Sequence, residues 1–273
     1  MNVKCKDIMG CIEELAPLHL AEAWDNPGLI IGSAGQDINS VLLCLDVTLG
    51  AVNEACRVGA DMIVSHHPMI FSPLKRIDVD SVMGRMVKRL LSKEISVYCA
   101  HTNIDKAHGG LNDLLLGILG LLPANSLNPS NLGDAPEPFR IGNTASEMSF
   151  EEFCTYVLSR LKLPGVMVTG GEETEFNGGR SGNVRKVAVM CGSYDISAET
   201  LIGEGVDAIV CGELKHHQAL ELNDMGIGIV AAGHHGTERF FVSLAEKWIK
   251  EKYPDIEVFC YGFEAPPLKP LNQ

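Results

Sequence analysis

The chain has 273 residues, 46% of them hydrophobic and 21% charged, with a formal net charge of −13. That length suits one large globular domain or two smaller ones with a substantial core. The negative balance argues against non-specific binding to nucleic acid or to an anionic membrane, which both depend on basic patches, but leaves room for a nucleotide in a local pocket.

Residues 6–20 read as an opening amphipathic helix, followed by a Pro- and Gly-containing segment over 24–32. A strand is predicted at 41–47, and Thr48 can cap a helix running to about Arg57. Residues 62–65 form the next strand. A loop over 68–80 leads into a helix at 81–92, a strand at 95–100 and a helix at 109–119. Residues 123–147 are rich in Pro, Asn, Ser and Gly and read as a connection. A helix over 149–161, a short strand over 166–169 and a Gly-rich, acidic loop over 170–182 precede a second α/β run from Val184.

The fold expected is α/β, with two similar lobes and a metal cleft between them. Lobe one spans 1–122, a linker and short element 123–183, and lobe two 184–273. The halves repeat. Gly59-x-Asp61-x-Ile63-Val64 matches Gly205-x-Asp207-x-Ile209-Val210 at an offset of 146 residues, and the preceding strands keep that offset. His101-x-x-x-Asp105 matches His234-x-x-x-Glu238 at an offset of 133.

Three of the short β-branched runs end in histidine: His66-His67, His101 and His234-His235. In an open α/β sheet, ligands bind beyond the strand C-termini. Imidazoles from three strand ends, with Asp105 and Glu238 four residues past His101 and His234, point to a metal site. The bland alternative is buried histidines bonded to loop carbonyls, with the acids favouring helix N-termini. Adjacent strand residues face opposite ways, but past the strand end His66 and His67 can each serve one of two metals. Imidazole and carboxylate without thiolate suit Zn, Fe, Mn, Co or Ni. His216, His217 and His235 stand open between a site role and a solvated one, His108 suits turn chemistry, and His19 reads as structural. No C-x-x-C pair occurs among the nine cysteines, so buried reduced thiols are expected. With no signal-peptide core and no apolar run of roughly 18 residues, a cytoplasmic location is expected. There is no Walker A loop, no G-x-G-x-x-G after a strand and no G-x-S-x-G.

Taken together, Trp24-Asp25-Asn26-Pro27-Gly28-Leu29, Ser65-His66-His67-Pro68-Met69-Ile70-Phe71, His101-Thr102-Asn103-Ile104-Asp105 and Gly233-His234-His235-Gly236-Thr237-Glu238 resemble the NIF-three-like dinuclear-metal-centre family, the GTP cyclohydrolase 1 type 2 homologues. The resemblance runs to about residue 265. It implies a two-lobed α/β fold, two divalent cations held by His66, His67, Asp105, His234 and Glu238, and a homohexamer. His101 would stand behind the ligands, and no full inserted domain fits the length. The function implied is a metal-dependent hydrolase acting on GTP. Water activated by two metals would attack C8 of the guanine, with His101, Glu213 or His217 as acid/base and Lys106, Lys215 or Arg239 near the phosphates. A phosphoesterase is the alternative within the enzyme class. A metal-binding scaffold or regulatory protein without turnover is the alternative outside it.

Overall fold

Uninterrupted apolar runs such as Val41-Leu42-Leu43-Cys44 suit strands covered on both faces, as in a parallel sheet flanked by helices. The computed structural model, which describes residues 2–124, 137–169 and 183–262, is built this way: a mixed α/β chain in two units, each with its own sheet. The first unit begins with α1 (Cys5–Leu15), β1 (Gly28–Ile31), β2 (Ser40–Cys44), α2 (Leu49–Val58), β3 (Met62–Ser65), α3 (Val82–Ser92), β4 (Ser96–Cys99) and α4 (Thr102–Lys106). The second comprises α5 (Leu111–Ile118), β5 (Leu122–Pro123), β6 (Arg140–Ser149), α6 (Phe150–Leu161), β7 (Met167–Thr169), β8 (Asn183–Ser193), α7 (Ala198–Gly203), β9 (Ala208–Glu213), α8 (His216–Asp224), β10 (Gly228–Ala231) and α9 (His234–Glu238). The chain then returns to the first unit with α10 (Phe241–Lys252) and β11 (Glu257–Cys260).

The first sheet has the order β1-β4-β3-β2-β11, parallel except for β1. The second has the order β5-β6-β8-β9-β10-β7, with β8, β9 and β10 parallel and the outer strands antiparallel. Side-chain caps fix where the helices start. Thr48 accepts from the amide of Ala51, Ser81 from Gly84, and Ser149 from Glu152, whose carboxylate returns to the Ser149 amide. Helix α2 stops at Gly59, whose φ of +73° is the left-handed end conformation glycine supplies cheaply.

The repeat read in the sequence has a physical basis. Leu42 pairs with Ile63 in one sheet and Ala188 with Ile209 in the other, so the 146-residue offset is the same on both strands of the pair. One oxygen of Asp61 accepts from the backbone amides of Asn39 and Ser40 at 2.8 and 3.0 Å. The matching oxygen of Asp207 accepts from Arg185 and Lys186 at 3.0 and 2.7 Å. The Gly-x-Asp pattern therefore ends a helix and ties the next strand to the start of the previous one.

Connectivity divides the chain differently from the expected 1–122, 123–183 and 184–273. The change of unit falls at Gly110–Leu111, and the segment from Phe240 rejoins the first unit. Strand β11 pairs with β2 from Glu257↔Ser40 to Cys260↔Leu43, and the Cys11 thiol lies 3.4 Å from the Trp248 carbonyl as α1 packs on α10. The expected connection also contains β6, and residues 125–136 and the expected loop over 170–182 lie outside the described residues. Among the described residues no helix is long and apolar enough to cross a membrane.

Candidate metal centre

In the first unit, β3 ends at Ser65 and the next two residues deliver their imidazoles beyond the sheet. The His67 backbone N–H donates a hydrogen bond to the Leu45 carbonyl at 3.0 Å, which keeps the backbone in place. His66 is fully buried, and its Nδ1 lies 2.9 Å from the Ala100 carbonyl oxygen. His67 Nδ1 is 2.8 Å from Asp46 Oδ1, and His101 Nδ1 is 2.7 Å from Asp25 Oδ1. An acceptor at each Nδ1 puts the proton there and leaves the lone pair on Nε2. The three rings stand 4.8, 5.2 and 5.4 Å apart, and one ring nitrogen from each lies within 4.8 Å of the other two. Asp105 Oδ1 is 3.8 Å from His66 Nε2. Imidazole nitrogens oriented by outer acceptors, with a carboxylate at hand, fit a borderline divalent cation.

Asp25 is more than a neighbour. Burial pushes its pKa up, but hydrogen bonds from His101 and Thr102 outweigh that and bring it down to about 2. Thr102 gives both its amide, at 3.1 Å, and its hydroxyl, at 2.5 Å, to Asp25 Oδ2. Burial pushes the Cys99 thiol far up, and the Cys211 thiol up to about 12. Both stay protonated and are poor ligands. All nine cysteines are thiols in this structure.

In the second unit, His234 opens α9 directly after Gly233, whose φ is +82°. Its Nε2 is 2.9 Å from Glu238 Oε2 and its Nδ1 is 3.2 Å from Glu213 Oε1. A neutral imidazole carries a single N–H, so carboxylates at both nitrogens call for a second positive species, a proton or a metal cation. Glu213 also accepts from Ser193 Oγ at 3.0 Å, and the Glu238 side chain is only 4% exposed. Glycine makes the room: a Cβ at Gly192 would sit 2.3 Å from Glu238 Oε1, and one at Gly212 would sit 2.9 Å from the His234 Cα.

The expected residues sort as follows. His66, His67 and His101 cluster as a group that could hold a metal ion, with Asp105 beside them. Glu213 holds the outer nitrogen of His234. His216 and His217 are exposed in the first turn of α8, and His19 and His108 are exposed as well. Lys106 pairs with Glu22 at 2.5 Å, Arg239 donates to the Leu161 carbonyl, and Lys215 is exposed. Asp25 and Asp46 were not expected to contribute. Asp46 lies just beyond β2, the neighbour of the strand that delivers His67, so the strand-end rule that picked out the histidines also reaches it.

A profile of the Duf34/NIF3 (NGG1p interacting factor 3) family matches residues 3–267. The chain belongs to this family. A Clostridium perfringens protein described as "GTP cyclohydrolase 1 type 2 homolog" is 31% identical over 96% of this chain and 97% of its own length. A Clostridium acetobutylicum protein of the same description is 31% identical over 87% and 86%. The crystal structure of a Bacillus cereus protein related to NIF3 superposes with a TM-score of 0.84 over 99% of each chain at 23% identity, which shows a shared fold. The mixed α/β fold and the family expected from the motifs are both borne out.

Proposed function

We propose that this Duf34/NIF3 chain is a divalent-metal-dependent hydrolase that acts on a nucleotide, with GTP the first substrate to test. The observation that carries the reading is the group of three imidazoles, each with Nδ1 committed to an acceptor and a ring nitrogen within 4.8 Å of the others. The relatives' description as GTP cyclohydrolase 1 type 2 homologues supports the nucleotide. In this reading His66, His67, His101 and Asp105 in the first unit, and His234 and Glu238 in the second, hold two divalent cations. Such cations, when bound, supply Lewis acidity and acidify water at neutral pH.

The chain's own residues do the positioning. Asp46 and Asp25 keep the Nδ1 protons of His67 and His101, which makes the opposite nitrogens better donors. Glu213 does the same for His234. A homohexamer in the cytoplasm belongs to the same proposal, and sedimentation of the purified protein checks the assembly.

The test is elemental analysis of wild type, Asp105→Ala and His101→Ala, followed by incubation of the metal-loaded wild type with GTP. Expected are about two divalent cations per chain, a sharp fall in both variants, and loss of the purine chromophore with addition of one water to the nucleotide. Metal-loaded protein that leaves GTP intact overturns the hydrolase reading and favours a regulatory metal protein.

A further inference from the structure

Two large aromatic side chains of the first unit are left on the surface beside the imidazoles. Trp24 is 57% exposed and Phe71 52% exposed, and their ring centroids are 5.8 Å apart. The indole also meets the His101 ring edge-on, with centroids 6.2 Å apart, and His101 in turn packs against His66 and His67. Tryptophan and phenylalanine present large flat apolar faces, and here the two sit together at the surface beside the imidazoles.

The segment that carries the indole is held, not loose. Asp25, the next residue, is bonded to His101 and twice to Thr102. The Glu22 amide donates to Thr102 Oγ1 at 2.9 Å. Asn26 Nδ2 donates to the Ile70 carbonyl at 2.6 Å, which ties the Trp24 segment to the one carrying Phe71. The segments that carry the two rings are therefore tied down, and the Asp25 bond beside Trp24 is also the one that orients the His101 imidazole.

We propose that Trp24 and Phe71 form a stacking platform that seats the planar heteroaromatic ring of a small-molecule substrate next to His101. An aromatic face takes a π-ring by stacking with little demand on its hydrogen-bonding pattern. The platform thus chooses a planar ring as the substrate class, and the nearby imidazoles act on what it holds. That last step rests on the proposed function, whereas the stacking itself does not.

The experiment is calorimetric titration of metal-loaded wild type, Trp24→Leu, Trp24→Phe and Phe71→Leu with GTP, neopterin and inorganic triphosphate. Metal content and melting temperature serve as controls, because Trp24 lies outside the core. The expected result is a Kd for the planar-ring probes that rises about tenfold in Trp24→Leu, recovers in Trp24→Phe, and does not change for triphosphate. If neopterin binds in this Trp24-dependent way and GTP does not bind at all, the platform stands and the nucleotide reading falls. If GTP binds equally well to wild type and Trp24→Leu, the nucleotide reading stands and the platform falls. Absence of binding by any planar ring overturns the platform, as does a Trp24→Leu variant whose only change is its oligomeric state.

Discussion

The two units share a frame and differ in what they hang on it. Strands β2, β3 and β4 pair as β8, β9 and β10 do, each trio with an antiparallel strand added beside its third member. The chemistry does not follow the frame. At the 146-residue offset His66 and His67 correspond to Gly212 and Glu213, and Asp46 to Gly192. Pairing of β4 and β10 against their neighbours gives an offset of 132, so His101, which caps α4, matches Gly233, which caps α9. The motifs His101–Asp105 and His234–Glu238 share a spacing but are slipped by one residue. One unit collects three imidazoles. The other gives up side chains at two strand ends so that one histidine and one glutamate fit.

Gly192 is where that difference breaks most readily. Gly192→Ala puts a methyl 2.3 Å from Glu238 Oε1 at a φ of +64° and should abolish metal uptake that depends on Glu238, with a fall in melting temperature of several degrees. Elemental analysis and calorimetry read both, and an unchanged metal content would show that Glu238 does not need that space. The shared frame is tested by Asp61→Ala and Asp207→Ala. Each removes the charged acceptor of two backbone amides and should cost about 2–3 kcal/mol in urea unfolding. Asp61 also accepts from Ser40 Oγ at 3.2 Å.

The orienting carboxylates give a smaller, functional contrast. Asp46→Asn should weaken metal binding about 10–100-fold, with little change in the stability of metal-free protein. Glu213→Gln should weaken it less, since its bond to His234 is longer, 3.2 Å against 2.8 Å. Competition with a fluorescent chelator ranks the two, and the reverse order would refute the assignment. The smallest effect is a pH dependence. Asp25 is held down to about 2, below the usual carboxylate value. Its ionised form therefore favours the fold, with the contribution present above about pH 4 and lost as the pH falls through about 2. Melting of metal-free Asp25→Asn should vary less with pH across that window than melting of wild type.

Much of the frame was legible in the sequence, because it is written in local terms. The strand over 62–65 and the helix starts at Thr48, Ser81 and Ser149 follow from apolar runs and capping residues. Strand β6 was hidden because it is half exposed and carries Asn143, Thr144 and Glu147, which resemble a linker. Strand β1 was hidden behind Pro27 and a glycine at φ +101°. The histidines could be found because they end strands. The residues that orient them could not be found as easily, since Asp25 acts on a ring 76 positions away and Asp46 on one 21 positions away. The one-residue slip between the two His–acid motifs shows only in the strand register.

The return of β11 to the edge of β2 also sets an order of assembly on the ribosome. The first sheet is encoded almost entirely before residue 100, yet its last strand is Glu257–Cys260. The second sheet is fully synthesised by Ala231. The unit encoded in the middle of the gene can therefore close its hydrogen bonds first. The unit that opens the chain must wait with one edge uncovered, and that exposed edge during synthesis is where a chaperone would have most to protect.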